Sequence, residues 1–142
     1  MYSREESKKI RQEFWINFGK TYQRKWILYN TKIKDFSLKF DFTKRYAEVA
    51  IEITSTDEVF RKYYFEKLKS LNAVLKEDYI PEIEYAEDYE LDNGKVISRI
   101  YIRKEGINVH NRNDWPQTQQ FLNKNMALLE EFFLEYKDFI DQ

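Results

Sequence analysis

Two neighbouring stretches carry the residues best placed to do chemistry. "FSLKFDF" (36–42) contains Lys39 and Asp41, and "AEVAIEI" (47–53) contains Glu48 and Glu52. Carboxylate oxygens are the preferred ligands of hard divalent cations such as Mg²⁺ or Mn²⁺, and a cation held by two or three of them can activate a water molecule. Asp41, Glu48 and Glu52 are therefore the candidate metal ligands. Together with Lys39, which would balance charge or handle a proton, they are also the candidate catalytic group. The same four residues equally describe a solvated sheet face on which Lys39 neutralises its acidic neighbours, and this plainer reading is preferred.

Either reading requires the acids to share a face. Apolar residues at 36, 38, 40 and 42 alternate with Ser37, Lys39 and Asp41, and those at 47, 49, 51 and 53 alternate with Glu48, Ala50 and Glu52. Strict period-two alternation predicts two strands, each with one buried side. A turn at Lys44-Arg45 would set Phe42 against Ala47, Phe40 against Val49, Leu38 against Ile51 and Phe36 against Ile53. A slip of one residue would turn every apolar side chain outward, so the register is strongly specified. It places Asp41 opposite Glu48 and Ser37 opposite Glu52, with Lys39 diagonal to both glutamates.

Around this pair the remaining elements follow from caps and periodicity. "SREE" is a capping box for a first helix whose stripe is Ile10, Phe14 and Phe18. "KWILYNT" reads as a short strand ahead of residue 36. "STDE" (55–58) is a second capping box, opening a helix with Phe60, Tyr64, Leu68, Leu71 and Leu75 on one side. Asn93-Gly94 signals a hairpin, which would bring Asp88 against Arg99 and Glu84 against Arg103. "NDWP" starts a last helix. The order helix-strand-strand-strand-helix-strand-strand-helix predicts one α+β domain over residues 1–142, with a mainly antiparallel sheet and helices packed on one face. In the last helix a second apolar stripe, Phe121, Leu128, Phe132 and Phe139, adjoins the first. So wide an arc predicts deep burial or cover by another chain, and homo-oligomerisation through this helix is the expected partnership.

Composition narrows the function classes. The chain has 142 residues, 42% hydrophobic and 18% aromatic, with no cysteine, one histidine and three separated glycines. Thiolate chemistry, His-rich zinc sites, phosphate loops and dinucleotide fingerprints are excluded, and no serine stands in a nucleophile-elbow context. No organic cofactor is expected. The charged opening is unlike a signal peptide, and no run reaches the ~20 apolar residues of a membrane helix, so a cytoplasmic protein without membrane contact is expected. Residues 1–45 carry 12 Lys and Arg against 5 Asp and Glu, while 77–92 carry eight acids and no base. The basic, aromatic stretch "KTYQRKWILYNTKIK" makes Lys25 and Lys32 candidate nucleic-acid contacts. The acidic run could meet a basic protein partner, or pair with Lys95, Arg99, Arg103 and Lys104.

Two resemblances add to this. A helix, a three-strand meander, a helix and a further strand resemble the core of the restriction-endonuclease-like nucleases, with Asp41 and Glu52 near the expected acids but Thr54 where that family has its lysine. "RQEFWINFGK", "AIEIT", "SRIY" and "DWP", through Trp15, Phe18, Gly19, Glu52, Ser98, Arg99, Asp114, Trp115 and Pro116, resemble an uncharacterised bacterial domain-of-unknown-function family. Its members stand alone or follow a nuclease-like domain, and the resemblance implies no established activity. The expectation is a non-enzymatic interaction or structural module of a bacterial cytoplasmic system, self-associating. The alternative is a degenerate or weakly active metal-dependent nuclease or a DNA-contacting accessory domain.

Overall fold

In the computed structural model, which describes residues 2–142, the two alternating stretches form the antiparallel pair β1 (Phe36–Phe42) and β2 (Tyr46–Ile53). Their register is the expected one, from Phe42 opposite Ala47 to Phe36 opposite Ile53. The chain then runs through α2 (Glu58–Ser70), α3 (Asn72–Asp78), β3 (Glu84–Glu90) and β4 (Val96–Glu105), and one 3-10 turn (Arg112–Asp114) leads into α4 (Trp115–Ile140). At the start, α1 (Arg4–Thr21) carries the capping box, with the Glu6 amide donating to Ser3 Oγ and the Ser3 amide to Glu6 Oε1. The sheet is antiparallel throughout, in the order β1-β2-β4-β3.

This is an α+β fold with its helices on one sheet face. Phe36, Leu38, Val49, Ile51, Ile53 and Ile100 line that face and are buried. The α1 ring of Phe14 meets Phe42 at 4.7 Å and Trp115 at 5.3 Å between centroids, while Phe133 of α4 and Tyr64 of α2 meet Phe36 at 5.6 and 6.0 Å. Edge-to-face and tilted contacts of this kind add to the area term that drives burial. Among the described residues no helix is long and apolar enough to cross a membrane.

Four details differ from expectation. "KWILYNT" is not a strand. Residues 22–35 form a turn-rich segment in which Leu28, Lys32 and Asp35 take φ values of 48°, 67° and 56°. Its polar groups are satisfied away from any ladder: the buried Glu130 carboxylate accepts from the Ile27 amide at 2.6 Å and from Arg24 at 2.9 Å, and the buried Thr31 hydroxyl donates to Phe36 O at 2.7 Å. With that strand gone, the three-strand meander behind the nuclease resemblance is gone as well.

The second difference is the helix after residue 55. It breaks at Leu71 into α2 and α3, and Asp57 rather than Ser55 caps it, accepting from the amides of Val59 and Phe60. Third, the hairpin is offset. Its loop is Asp92-Asn93-Gly94, with the Gly94 amide donating to Leu91 O and Gly94 at φ 86°, a type I turn closed by a glycine bulge instead of a two-residue turn. A second irregularity between Ala86 and Tyr89 adds another step, so Arg99 faces Ala86 and Glu84 faces Tyr101. Neither expected charge pair forms across this hairpin.

The fourth concerns α4. Phe132 is 0% exposed within a single chain, its ring 5.5 Å from Tyr79, and Phe121 and Leu128 are half-buried against the core. Of the expected interface stripe, Phe139 alone is exposed. The arc is wide because segment 22–35 and Tyr79 of the same chain cover it, a cover that helical periodicity cannot reveal.

Candidate functional site

The sheet face away from the helices is where the candidate residues meet. Pairing of β2 with β4 sets Glu52 directly opposite Arg99 and Glu48 opposite Arg103. Arg99 Nη2 donates to Glu48 Oε1 and lies 3.1 Å from Glu52 Oε2, so one guanidinium binds both glutamates. Arg103 Nε donates to the other Glu48 oxygen at 2.8 Å. Lys39 Nζ, reaching from β1, is 3.9 Å from Glu52 Oε1. No helix shields these charges, yet Glu48 is 1%, Arg99 5% and Glu52 7% exposed.

Tyrosines provide the cover. Arg99 sits between Tyr89 and Tyr101, with Cζ 4.7 and 4.8 Å from the ring centroids, and Arg103 lies between Tyr46 at 4.0 Å and Tyr101 at 5.0 Å. The result is an alternating row, Tyr89-Arg99-Tyr101-Arg103-Tyr46, laid over the glutamates of β2. A guanidinium stacks on an aromatic ring while its edge still donates in plane, which an ammonium cannot do. The irregularity in β3 makes this possible, because it turns Tyr89 onto the polar face while Tyr85, opposite Ile100, faces the core. Tyr89 therefore does not share a face with Tyr85 and Ile100, as the unbroken alternation would have it.

Asp41 stands half-buried beside this group. Loss of water pushes its carboxyl above the usual range, the neighbouring Lys39 ammonium pulls it back, and the Glu48 carboxylate pushes it up further. Glu48 and Glu52 are thus brought together as expected, but their oxygens point at arginines. Among the described residues no group of three or more His, Cys, Asp or Glu stands in an arrangement able to hold a metal ion. A carboxylate already bound by two guanidinium groups is a poor ligand and a poor base.

Elsewhere, Lys25 and Lys32 are both exposed on segment 22–35. Ser7 Oγ and His110 Nε2 lie 2.7 Å apart, but Ser7 Oγ also accepts from Arg11 at 2.7 Å. Burial lowers the pKa of His110, and the nearby cations Lys44 and Arg11 lower it further; its ring meets Tyr2 in a tilted contact, 4.6 Å between centroids. The acidic run 77–92 is met chiefly by a residue that sequence reasoning passed over. The buried Arg61 of α2 donates to Glu87 O at 2.6 Å and to Ser98 Oγ at 2.8 Å, and pairs with Asp88 at 3.1 Å. Arg99, Arg103 and the three tyrosines were missed as members of the site. The alternation in "SRIYIRK" does put Arg99, Tyr101 and Arg103 on one face, but it does not say that this strand lies next to β2.

Arg99→Met leaves Glu52 with Lys39 alone and should cost about 3–5 kcal/mol in urea denaturation, as expected when one partner of a buried ion pair is removed; a loss under about 1 kcal/mol would show that the row is not structural. Asp41 supplies a pH dependence. Its folded carboxyl holds a proton more tightly than the unfolded chain does, so stability is full at acid pH and falls as pH rises through the carboxylate range. Asp41→Asn should therefore be more stable than wild type at neutral pH, with the advantage shrinking in melts run toward acid; an advantage that grows toward acid refutes the assignment.

The expectation of a domain-of-unknown-function family is met. Neither the curated proteins nor the solved structures include a match to this chain. Residues 10–137, nearly the whole sequence and every element from the middle of α1 to the last turns of α4, match the family model described as "Domain of unknown function (DUF4268)", and the chain belongs to that family.

Proposed function

We propose that this chain is a non-enzymatic interaction module of a bacterial cytoplasmic system, and that it self-associates. The observation carrying the first part is Arg99 bound to both Glu48 and Glu52. Two of the three candidate metal carboxylates, Glu48 and Glu52, are spent in holding the sheet face together. Among the described residues no group of three or more His, Cys, Asp or Glu could hold a metal ion, and the Ser7–His110 pair has an arginine on the serine oxygen where a nucleophile needs its lone pairs free. A cysteine-free sequence suits a reducing compartment, and the resemblance through "RQEFWINFGK" and "DWP" supports the bacterial setting.

Self-association rests on a different surface from the one first expected. Phe139, at the end of α4, and Tyr63, on α2, are exposed large apolar residues, with Lys67 placed over both rings at 5.0 and 4.9 Å. Val59 is exposed nearby and, with Tyr63 and Lys67, lines an open hollow of about 430 Å³. This end of α4, not its buried middle, is the contact.

Titrating Mg²⁺ or Mn²⁺ into the wild type and into Glu52→Gln should leave both melting temperatures unmoved; a rise in the wild type that the variant lacks would overturn the non-enzymatic reading. In static light scattering the wild type should weigh more than its 17.5 kDa protomer, and Phe139→Glu should return it toward that mass with its melting temperature intact. A wild type that is already monomeric ends the self-association reading.

A further inference from the structure

We infer that segment 22–35 and the adjoining edge of β1 form a binding site for single-stranded nucleic acid, with Tyr29 as the stacking platform and Lys32, Lys34 and Lys39 as phosphate contacts. The inference rests on the interaction-module reading and names the partner class of one surface.

Tyr29 is 80% exposed. Its neighbours Trp26, Ile27 and Leu28 fold back against the core, whereas Tyr29 is held out at the tip of a tight turn closed by the Asn30 amide donating to Ile27 O at 2.9 Å. The turn is rigid at several points. Leu28 O accepts from the Leu38 amide at 3.0 Å, Glu130 pins the Ile27 amide, and the buried Thr31 hydroxyl ties the following residues to β1. Three non-glycine residues, Leu28, Lys32 and Asp35, keep left-handed backbone within eight positions. Such strain persists only where surrounding contacts over-determine it, and it gathers at binding loops. A ring fixed in place beforehand costs little further ordering when a ligand arrives.

Two hollows meet at this ring. One, of about 310 Å³, is lined by Trp15, Leu28, Phe40 and Asp41; the other, of about 390 Å³, by Lys34, Asp35, Ser37 and Thr54 among others. Tyr29 and Lys39 border both. Residues 20–45 hold eight Lys and Arg against two acids, Asp35 and Asp41. Lys32, Lys34 and Lys39 are exposed; of the two acids near Lys39, Glu52 at 3.9 Å is already bound by Arg99, and Asp41, half-buried in the same hollow, has its charge disfavoured by loss of water. Arg24 is not free in this way, since it pairs with Glu130 and lies over Trp26.

A flat ring set between lysine-bearing hollows matches the alternation of base and phosphate along a single strand. In a duplex the base faces are hidden from Tyr29. An acidic peptide would satisfy the lysines but would offer the ring nothing flat to stack on.

The test is fluorescence anisotropy of the full chain with a short labelled oligothymidylate. The wild type should bind, with log K falling against log salt at a slope of about −2, as three phosphate contacts on a single strand require. Tyr29→Ala, an exposed change that should leave the melting temperature unmoved, should weaken binding about tenfold. Lys34→Gln with Lys39→Gln should weaken it and flatten the salt slope by about 1.4. Absence of binding, binding indifferent to Tyr29→Ala, or equal competition by duplex DNA or polyglutamate overturns the site and leaves the module reading standing. Cleavage of the oligonucleotide on adding Mg²⁺ would overturn the non-enzymatic reading and leave the binding site standing.

Discussion

Arg99 carries the constraint on which the polar face of this sheet depends. β2 is buried on both sides, apolar toward the helices and acidic away from them, and a carboxylate taken out of water must find a cation or give up its charge. One guanidinium, supplied by the neighbouring strand and stacked between two tyrosines, serves two glutamates at once. Lysine could not substitute, because an ammonium offers neither the in-plane fork nor the flat face that lets tyrosine rings close over it. The bulge in β3, the placement of Tyr89 and the adjacency of β2 and β4 all serve this arrangement.

The same logic of buried charge operates on the far side of the molecule. Glu130, inside the longest helix, would be a liability there without the Ile27 amide and Arg24. Those contacts draw segment 22–35 across the apolar arc of α4, completing the core with a loop where a strand or a second chain could have lain. The same loop holds Leu28, Lys32 and Asp35 in left-handed backbone and leaves Tyr29 standing clear of the surface. A structural debt inside the fold thus shapes the most distinctive feature outside it.

These two devices set the charge that each face of the molecule presents. Glu48, Glu52 and Glu130 are paired with arginines, while the exposed lysines of the first third, Lys39 aside, stand without an ion-pair partner among the described residues. The charge asymmetry between the first 45 residues and the remainder is therefore only partly cancelled by folding. Arg24 is consumed by Glu130, but Lys32 and Lys34 are not consumed by anything the acidic run supplies; that run turns toward Arg61 of α2 and solvent.

Local rules were enough for β1 and β2, their register, the Ser3 cap and the antiparallel α+β class, because each rests on contacts only a few residues apart in sequence or on a turn of two residues. The shared face of Asp41, Glu48 and Glu52 was legible for the same reason. What those acids meet was not. The neighbour of β2 is a strand some fifty residues later, and period-two alternation assigns a residue to a face without naming which strand lies alongside. The fate of "KWILYNT" was settled by a carboxylate more than a hundred residues away, and the true exposure of Phe132 by the loop and tyrosine that cover it. Short-range periodicity determined which residues are buried together; long-range pairing of buried charge decided what each is buried against.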